Sequence, residues 1–226
     1  PQDLDNVRNN LAGHYCQMND IDLTQYNGGI FTPIGLTFYG TYNGNNHFIR
    51  NLHIYDPSRT RIGLFRIIKN GRINSLHLIN ATIEGLEYVG ALSGSIEKSS
   101  IEEVTVSGMV VGSYIPFQTA GGVGGLVGYA KNSLFSECVS YISIDGVSLI
   151  GGLIGNADYS VVSDSSSINN VVKGHSMKGG LIGKTLGGLV VRSHANSSVI
   201  PTDVANNTYS VGGLIGNLQD APASVL

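Results

Sequence analysis

Short strings built on glycine recur along the chain and constrain its fold more than any other feature: "VGALSG" from residue 89, "GGLVGY" from 124, "GGLIGN" from 151 and again from 212. Taking the second small residue of each as anchor gives Gly63 in "IGLF", then Ala91, Gly125, Gly152, Gly180 and Gly213, with Gly35 of "IGLTF" in front. Successive anchors lie 28, 28, 34, 27, 28 and 33 residues apart. The unit is therefore 27 to 28 residues, and two units carry insertions, near 112–121 and 200–207. A fixed period of roughly 20 to 50 residues marks a solenoid, in which each unit buries its apolar face only by stacking on its neighbours.

One string, "KGGLIGKT" at 178–185, resembles a phosphate-binding loop, but five residues before Gly183 stands Lys178 where that loop needs glycine. The string is one copy of the repeat, and Lys184 occupies a column that elsewhere holds Tyr129, Asn156 and Asn217, read here as a variable turn position.

Between the strings, "INSLHLINATI" from 73, "IEEVTVSGMVV" from 101 and "LFSECVSYISI" from 134 alternate apolar or small with polar residues, the pattern of half-buried strands. Strands that return in one direction every turn, without crossover helices, predict an all-β, right-handed parallel β-helix of about seven rungs. At roughly 4.8 Å per rung the rod would be roughly 30 to 35 Å long. The leader "PQDLDNVRNNLAG" spaces Leu4, Val7 and Leu11 for a short amphipathic helix with Asp3 as N-cap, which would cap the first rung over residues 1–13. The β-helix is expected over 14–217, and 218–226, which loses the period, as a tail or linker.

The columns sort into core and surface. Leu64, Leu92, Leu126, Leu153, Leu181 and Leu214 follow the anchor directly and predict an inward ladder. Three places after the anchor stand Arg66 and then glycine at 94, 128, 155, 183 and 216; glycine in five of six positions marks a turn that needs unusual backbone angles or close approach. Thirteen places after it, Leu76, Val104, Cys138, Ser165 and Ser193 point inward. Cys16 and Cys138 lie about four rungs apart, too far to bridge, and Cys138 reads as a small buried hydrophobe.

Twelve places after the anchor, an outward column reads Ser75, Glu103, Glu137, Asp164 and Arg192, with Tyr141 four residues beyond Glu137. Stacked carboxylates would stand about 5 Å apart, or about 10 Å at two rungs, which bracket the separations used by glycosidases. Glu103, Glu137, Asp164, Tyr141 and Arg192 are therefore the candidate ligand-binding residues, with a solvated acidic ladder as the plain alternative. His53 and His77, in "IRNLHI" and "INSLHL", are expected to stack on the outer face. Asp20 and Asp22 of "NDIDL" read as turn and cap residues. Asn80, Asn196 and Asn206 head glycosylation sequons.

Composition narrows the partners. Net charge is −3 with 13% charged residues, which argues against nucleic acid, and no apolar run reaches the length of a membrane span. H-E-x-x-H and G-x-S-x-G do not occur, so no catalytic residue, metal or other cofactor is expected. A chain beginning at Pro1 rather than Met is expected to be a processed or excised piece, a monomeric module of something larger.

The string "VGGLIGN" with a polar strand about ten residues later resembles the GLUG motif, named for its Gly-Leu-hydrophobic-Gly core. The leader "DLDNVRNNLAGHYCQMNDIDL", then "FTPIG", "FYGTYNGNNHFIRNLHI" and "IGLF", is similar to the segment that precedes such repeats in large bacterial surface and secreted proteins. These include filamentous-haemagglutinin-like exoproteins and the non-catalytic regions of IgA-cleaving zinc peptidases. The resemblance spans residues 3 to about 217 and implies an extracellular or cell-surface β-helical stalk or adhesin that meets a glycan or a host or matrix protein. It carries over no catalytic residue. Two other readings stay open: a polysaccharide lyase or glycoside hydrolase with its site on the acidic column, and a structural spacer within a larger surface enzyme.

Overall fold

The computed structural model describes residues 1–113, 121–202 and 210–225; the insertions near 112–121 and 200–207, and the sequon at Asn206, fall largely or wholly outside them. The chain is a parallel β-helix, and every strand pairing among the described residues is parallel. On the face that follows the glycine strings, Phe65–Lys69, Ser93–Glu97, Val127–Lys131, Ile154–Asp158 and the starts of Ile182–Val191 and Ile215–Val225 stack in that order. The next face stacks residues of Arg72–Gly85, Ser100–Gly112, Leu134–Ser136, Val161–Ser163 and Ile182–Val191, and is continued at the N-terminal end by Thr41–Asn43 and His14–Cys16. A third face ends in Val139–Gly146, Ser166–Gly174 and His194–Pro201. The strings themselves form a narrow sheet of two-residue strands, Val123–Gly124, Ile150–Gly151, Lys178–Gly179 and Val211–Gly212.

Among the described residues the face that follows the glycine strings thus stacks six strands, and the first expected anchor is out of register. Ile34 pairs with Phe65 rather than Ile62, and Phe38 with Ile68. The last strand runs on to Val225 through the segment read as a tail, with Leu189 of the preceding turn beside Ser224. At the other end the helix is shorter than expected: Gln2–Asn6 is α-helical and Val7–Asn9 forms a single tighter turn. Leu4 and Val7 are both buried, but Asp3 lies inside the helix, which begins after Pro1 and has no side-chain cap, because the chain turns helical two residues earlier than the expected N-cap allows.

The leucine ladder is the core. Leu64, Leu92, Leu126, Leu153 and Leu181 have no exposed surface, and only Leu214, in the last turn, is half-buried. The glycines three places beyond the anchor have ordinary backbone angles and serve close approach instead. A Cβ on Gly128 would lie 2.4 Å from the Tyr88 carbonyl carbon, and one on Gly155 would lie 2.4 Å from the Val123 nitrogen. Here one turn's backbone passes over that of an earlier turn, and no side chain fits between.

Left-handed backbone does recur at corners: just before the string, at Arg61, Tyr88, Leu149 and Met177, and at two corners after it. Asn70, Lys98, Asn132, Tyr159 and Gly187 form one column, with φ of 51°, 49°, 50°, 49° and 64°. Ser75, Glu103, Glu137, Asp164 and Arg192 form the other, with φ of 50°, 52°, 53°, 50° and 45°. The chain then turns inward, and at the first of these two corners serines replace the broken sheet ladder. Ser99 Oγ accepts from the Gly71 N–H at 3.1 Å, Ser133 Oγ from the Ser99 N–H at 3.2 Å, and Ser160 Oγ from the Ser133 N–H at 3.2 Å. Each hydroxyl donates to the carbonyl two residues before it, so these buried groups are satisfied from rung to rung.

Candidate functional site

The structure assembles the acidic column as the repeat implies. Asn74 pairs with Glu102, Glu102 with Ser136 and Ser136 with Ser163, which stacks Ser75, Glu103, Glu137 and Asp164 at successive corners, with Arg192 closing the row. What sequence reasoning took for an outward strand column is a left-handed corner. Its side chains leave the rod at this corner, and all three carboxylates are exposed.

Each end of the row is already partnered. Ser75 Oγ donates to Glu103 Oε2 at 2.7 Å. Arg192 donates from Nε and from Nη2 to the two oxygens of Asp164, both at 2.7 Å. That fork holds the Asp164 carboxyl below its usual range, and the carboxylate in return raises the guanidinium. Glu137, between them, has no side-chain partner among the described residues. Tyr141 does not join the row. It is 46% exposed in Val139–Gly146, beside Ser107, and four residues of strand put it roughly 13 Å beyond the corner.

The histidines are not stacked. Phe48 stands beside His77, ring centroids 5.1 Å apart, while His53 pairs with Thr82. Their strings lie 24 residues apart, less than one turn, so likeness of sequence placed them in different columns. Asp20 accepts from the Phe48 N–H at 3.1 Å. Asp22 accepts from the Thr24 N–H at 2.9 Å, the Thr24 hydroxyl at 2.6 Å and Asn51 at 3.0 Å, which brings its carboxyl down to about 2. Both aspartates are committed to holding the first turns, as expected of turn and cap residues. Cys138 is fully buried and its thiol is pushed up to about 12, while Cys16 is exposed, and both are unbridged.

A second site escaped the sequence. Lys184 and its column are not turn residues but outward positions of the glycine-string face, where Ser95, Tyr129, Asn156, Lys184 and Asn217 succeed one another. Tyr129 there meets Tyr88, from the corner that precedes the string, edge to face at 61° with centroids 5.9 Å apart. Arg61 covers Tyr88 from the preceding turn, 5.4 Å from the ring centre. With Thr37, Tyr39, Lys69, Glu97 and Lys131 these residues wall a groove of about 470 Å³. Tyr129 donates to Asp158 at 3.0 Å, and burial, then the Asp158 charge, keeps its hydroxyl protonated far above neutrality. The only signal was the glycine at 128: without its Cβ, the Tyr88 backbone can pass close enough for the two rings to meet.

Fold and faces define a parallel β-helix whose surface is a set of stacked, exposed columns. No family model matches the chain. It is 35% identical over 125 residues to halomucin of Haloquadratum walsbyi, a match that takes in 49% of this chain and 1% of that protein. The chain thus spans a very small part of the relative's length. Among solved structures, a Bacteroides ovatus protein described as a candidate immunoglobulin A1 protease superposes over 98% of this chain and 74% of its own, with a TM-score of 0.76 and 17% identity. That likeness is one of fold. Among the described residues no helix is long and apolar enough to cross a membrane, and no three His, Cys, Asp or Glu side chains gather as a metal site would require.

Proposed function

We propose that the chain is a non-enzymatic adhesive module of a secreted or cell-surface protein, a stiff β-helical stalk that presents stacked surface columns to a glycan or glycoprotein outside the cell. The observation that carries this is the state of the acidic column. A carboxyl that acts as a general acid is kept protonated by burial or by a neighbouring negative charge. Glu103, Glu137 and Asp164 are instead exposed, and the last is held ionised by Arg192. Such a row can bind or stay solvated, and it is poorly built to cleave. The names found by comparison point the same way, since mucins and immunoglobulins are both encountered outside cells. The resemblance to GLUG-repeat surface proteins agrees.

The test is retention of the purified chain on a panel of acidic and neutral polysaccharides and matrix glycoproteins, with calcium and with chelator, while the length of each polymer is followed. Binding with intact polymer is the expected result. Shortened polymer would replace this reading by that of a polysaccharide-cleaving enzyme. Lack of retention across the panel would leave the structural spacer.

A further inference from the structure

We infer that the groove between Tyr88 and Tyr129, rather than the acidic corner, is the binding site of this module, and that its ligand is an acidic polysaccharide, a chain of pyranose rings bearing carboxylates. The inference rests on the adhesive reading and supplies its site and ligand class.

Three observations converge on the groove. The first is aromatic surface. Tyr39 is 50% exposed, and Tyr88 and Tyr129 are half-buried and packed edge to face, so their orientation is fixed before any ligand arrives. A pyranose presents a patch of C–H groups to such a ring while its hydroxyls reach the polar rim, here Thr37, Ser95 and Glu97. The second is charge. Lys69 is neutralised by Glu97 at 2.9 Å, but neither Arg61 nor Lys131 forms an ion pair among the described residues. Glu97 and Asp158 stand one rung to either side of Lys131 without forming an ion pair with it, so Arg61 and Lys131 are the cations left to meet a ligand beside the aromatic rings, and a carboxylate-bearing sugar would satisfy both. The third is spacing. Lys69, Glu97, Lys131 and Asp158 succeed one another at one strand position, rung by rung at about 4.8 Å, close to the length of one sugar in an extended chain.

Other occupants fit less well. An extended peptide would add to a sheet edge, whereas Val127–Lys131 is paired on both sides. A nucleic acid would call for a longer run of cations than these two. A neutral glycan would leave Arg61 and Lys131 unanswered.

The experiment is affinity electrophoresis and calorimetry of the whole chain with polygalacturonate and hyaluronan, with dextran as neutral control and a matrix glycoprotein alongside. Binding to the two uronate polymers and not to dextran is expected, with Kd weakened at least about tenfold by Tyr129→Ala and by Lys131→Glu, and unchanged by Glu137→Gln. Lys131 is exposed, so its variant reports binding even where loss of the Tyr129 ring disturbs folding. Loss with Lys131→Glu but none with a folded Tyr129→Ala would show simple ion exchange and overturn the inference. Loss with Glu137→Gln alone would move the site to the acidic corner. A matrix glycoprotein bound while both uronate polymers are refused would sink the acidic ligand and leave the adhesive reading standing. Refusal of every polymer and glycoprotein would sink both.

Discussion

The glycine strings and the acidic corner repeat with the same period, yet they are constrained in opposite ways. At Gly94, Gly128, Gly155, Gly183 and Gly216 the backbone has ordinary angles and another backbone presses on the missing side chain. At Ser75, Glu103, Glu137, Asp164 and Arg192 the backbone is left-handed, the state that suits glycine, while the side chains leave the rod and meet solvent or one another. From Gly94 onward the first column is always glycine because only absence of a side chain fits, Arg66 holding the place in the turn before. The second varies in side chain because space is plentiful, and each non-glycine residue accepts a conformation that costs roughly 1 to 2 kcal/mol. Uniformity in a repeat thus reports crowding, whereas a varied column can still be fixed in its backbone.

The largest effect that would break this comparison is Gly155→Ala. Its Cβ would meet the Val123 nitrogen at 2.4 Å and the Gly122 carbonyl carbon at 2.6 Å, and neither atom is the end of a flexible side chain. A loss of about 4 kcal/mol or outright failure to fold is expected in urea unfolding, since backbone must be displaced on two turns. A loss below about 1 kcal/mol would mean that these glycines answer to something other than close approach.

The opposite substitution should do the opposite. Glu137→Gly relieves a φ of 53° at a corner with open space around it. The extra freedom of glycine in the unfolded chain offsets part of the relief, leaving a gain of roughly 0.5 kcal/mol. Clear destabilisation in the same assay would show that the Glu137 side chain contributes contacts to the native state.

Both columns were legible in sequence as columns, but only in part as sites. The anchors fixed the unit, and Leu126 and its equivalents declared the core because an inward position recurs in every turn. Glu103, Glu137 and Asp164 were correctly stacked by the same count. That they sit on a left-handed corner could not be read, because Glu, Asp and Arg carry no mark of positive φ as glycine or asparagine would. His53 and His77 misled through local likeness, at a spacing that is not the period. The Tyr88 and Tyr129 groove was invisible, since it joins the corner before one string to the strand after the next, 41 residues on.

The smallest expected effect is electrostatic and sharpens the view of the corner as exposed. Arg192 lowers the Asp164 carboxyl from its ordinary 3.8, so the stability it lends is complete above that value and is lost as pH falls through the lower, folded value. Thermal melts of wild type and Asp164→Asn should differ slightly near neutrality and coincide at strongly acid pH. With both side chains in solvent the difference should also shrink in high salt. A large, salt-resistant difference would contradict the exposed geometry.

Sequence by itself determined the parallel solenoid, its period, its leucine core and the order in which side chains stack. These follow because a turn that cannot bury its own face must repeat the same inward pattern at each level. Tertiary structure decided where the chain turns left-handed, why the string glycines are required and which aromatic rings share a groove. Those depend on how near one turn's backbone comes to another's, a distance set by packing between turns and written in no single repeat.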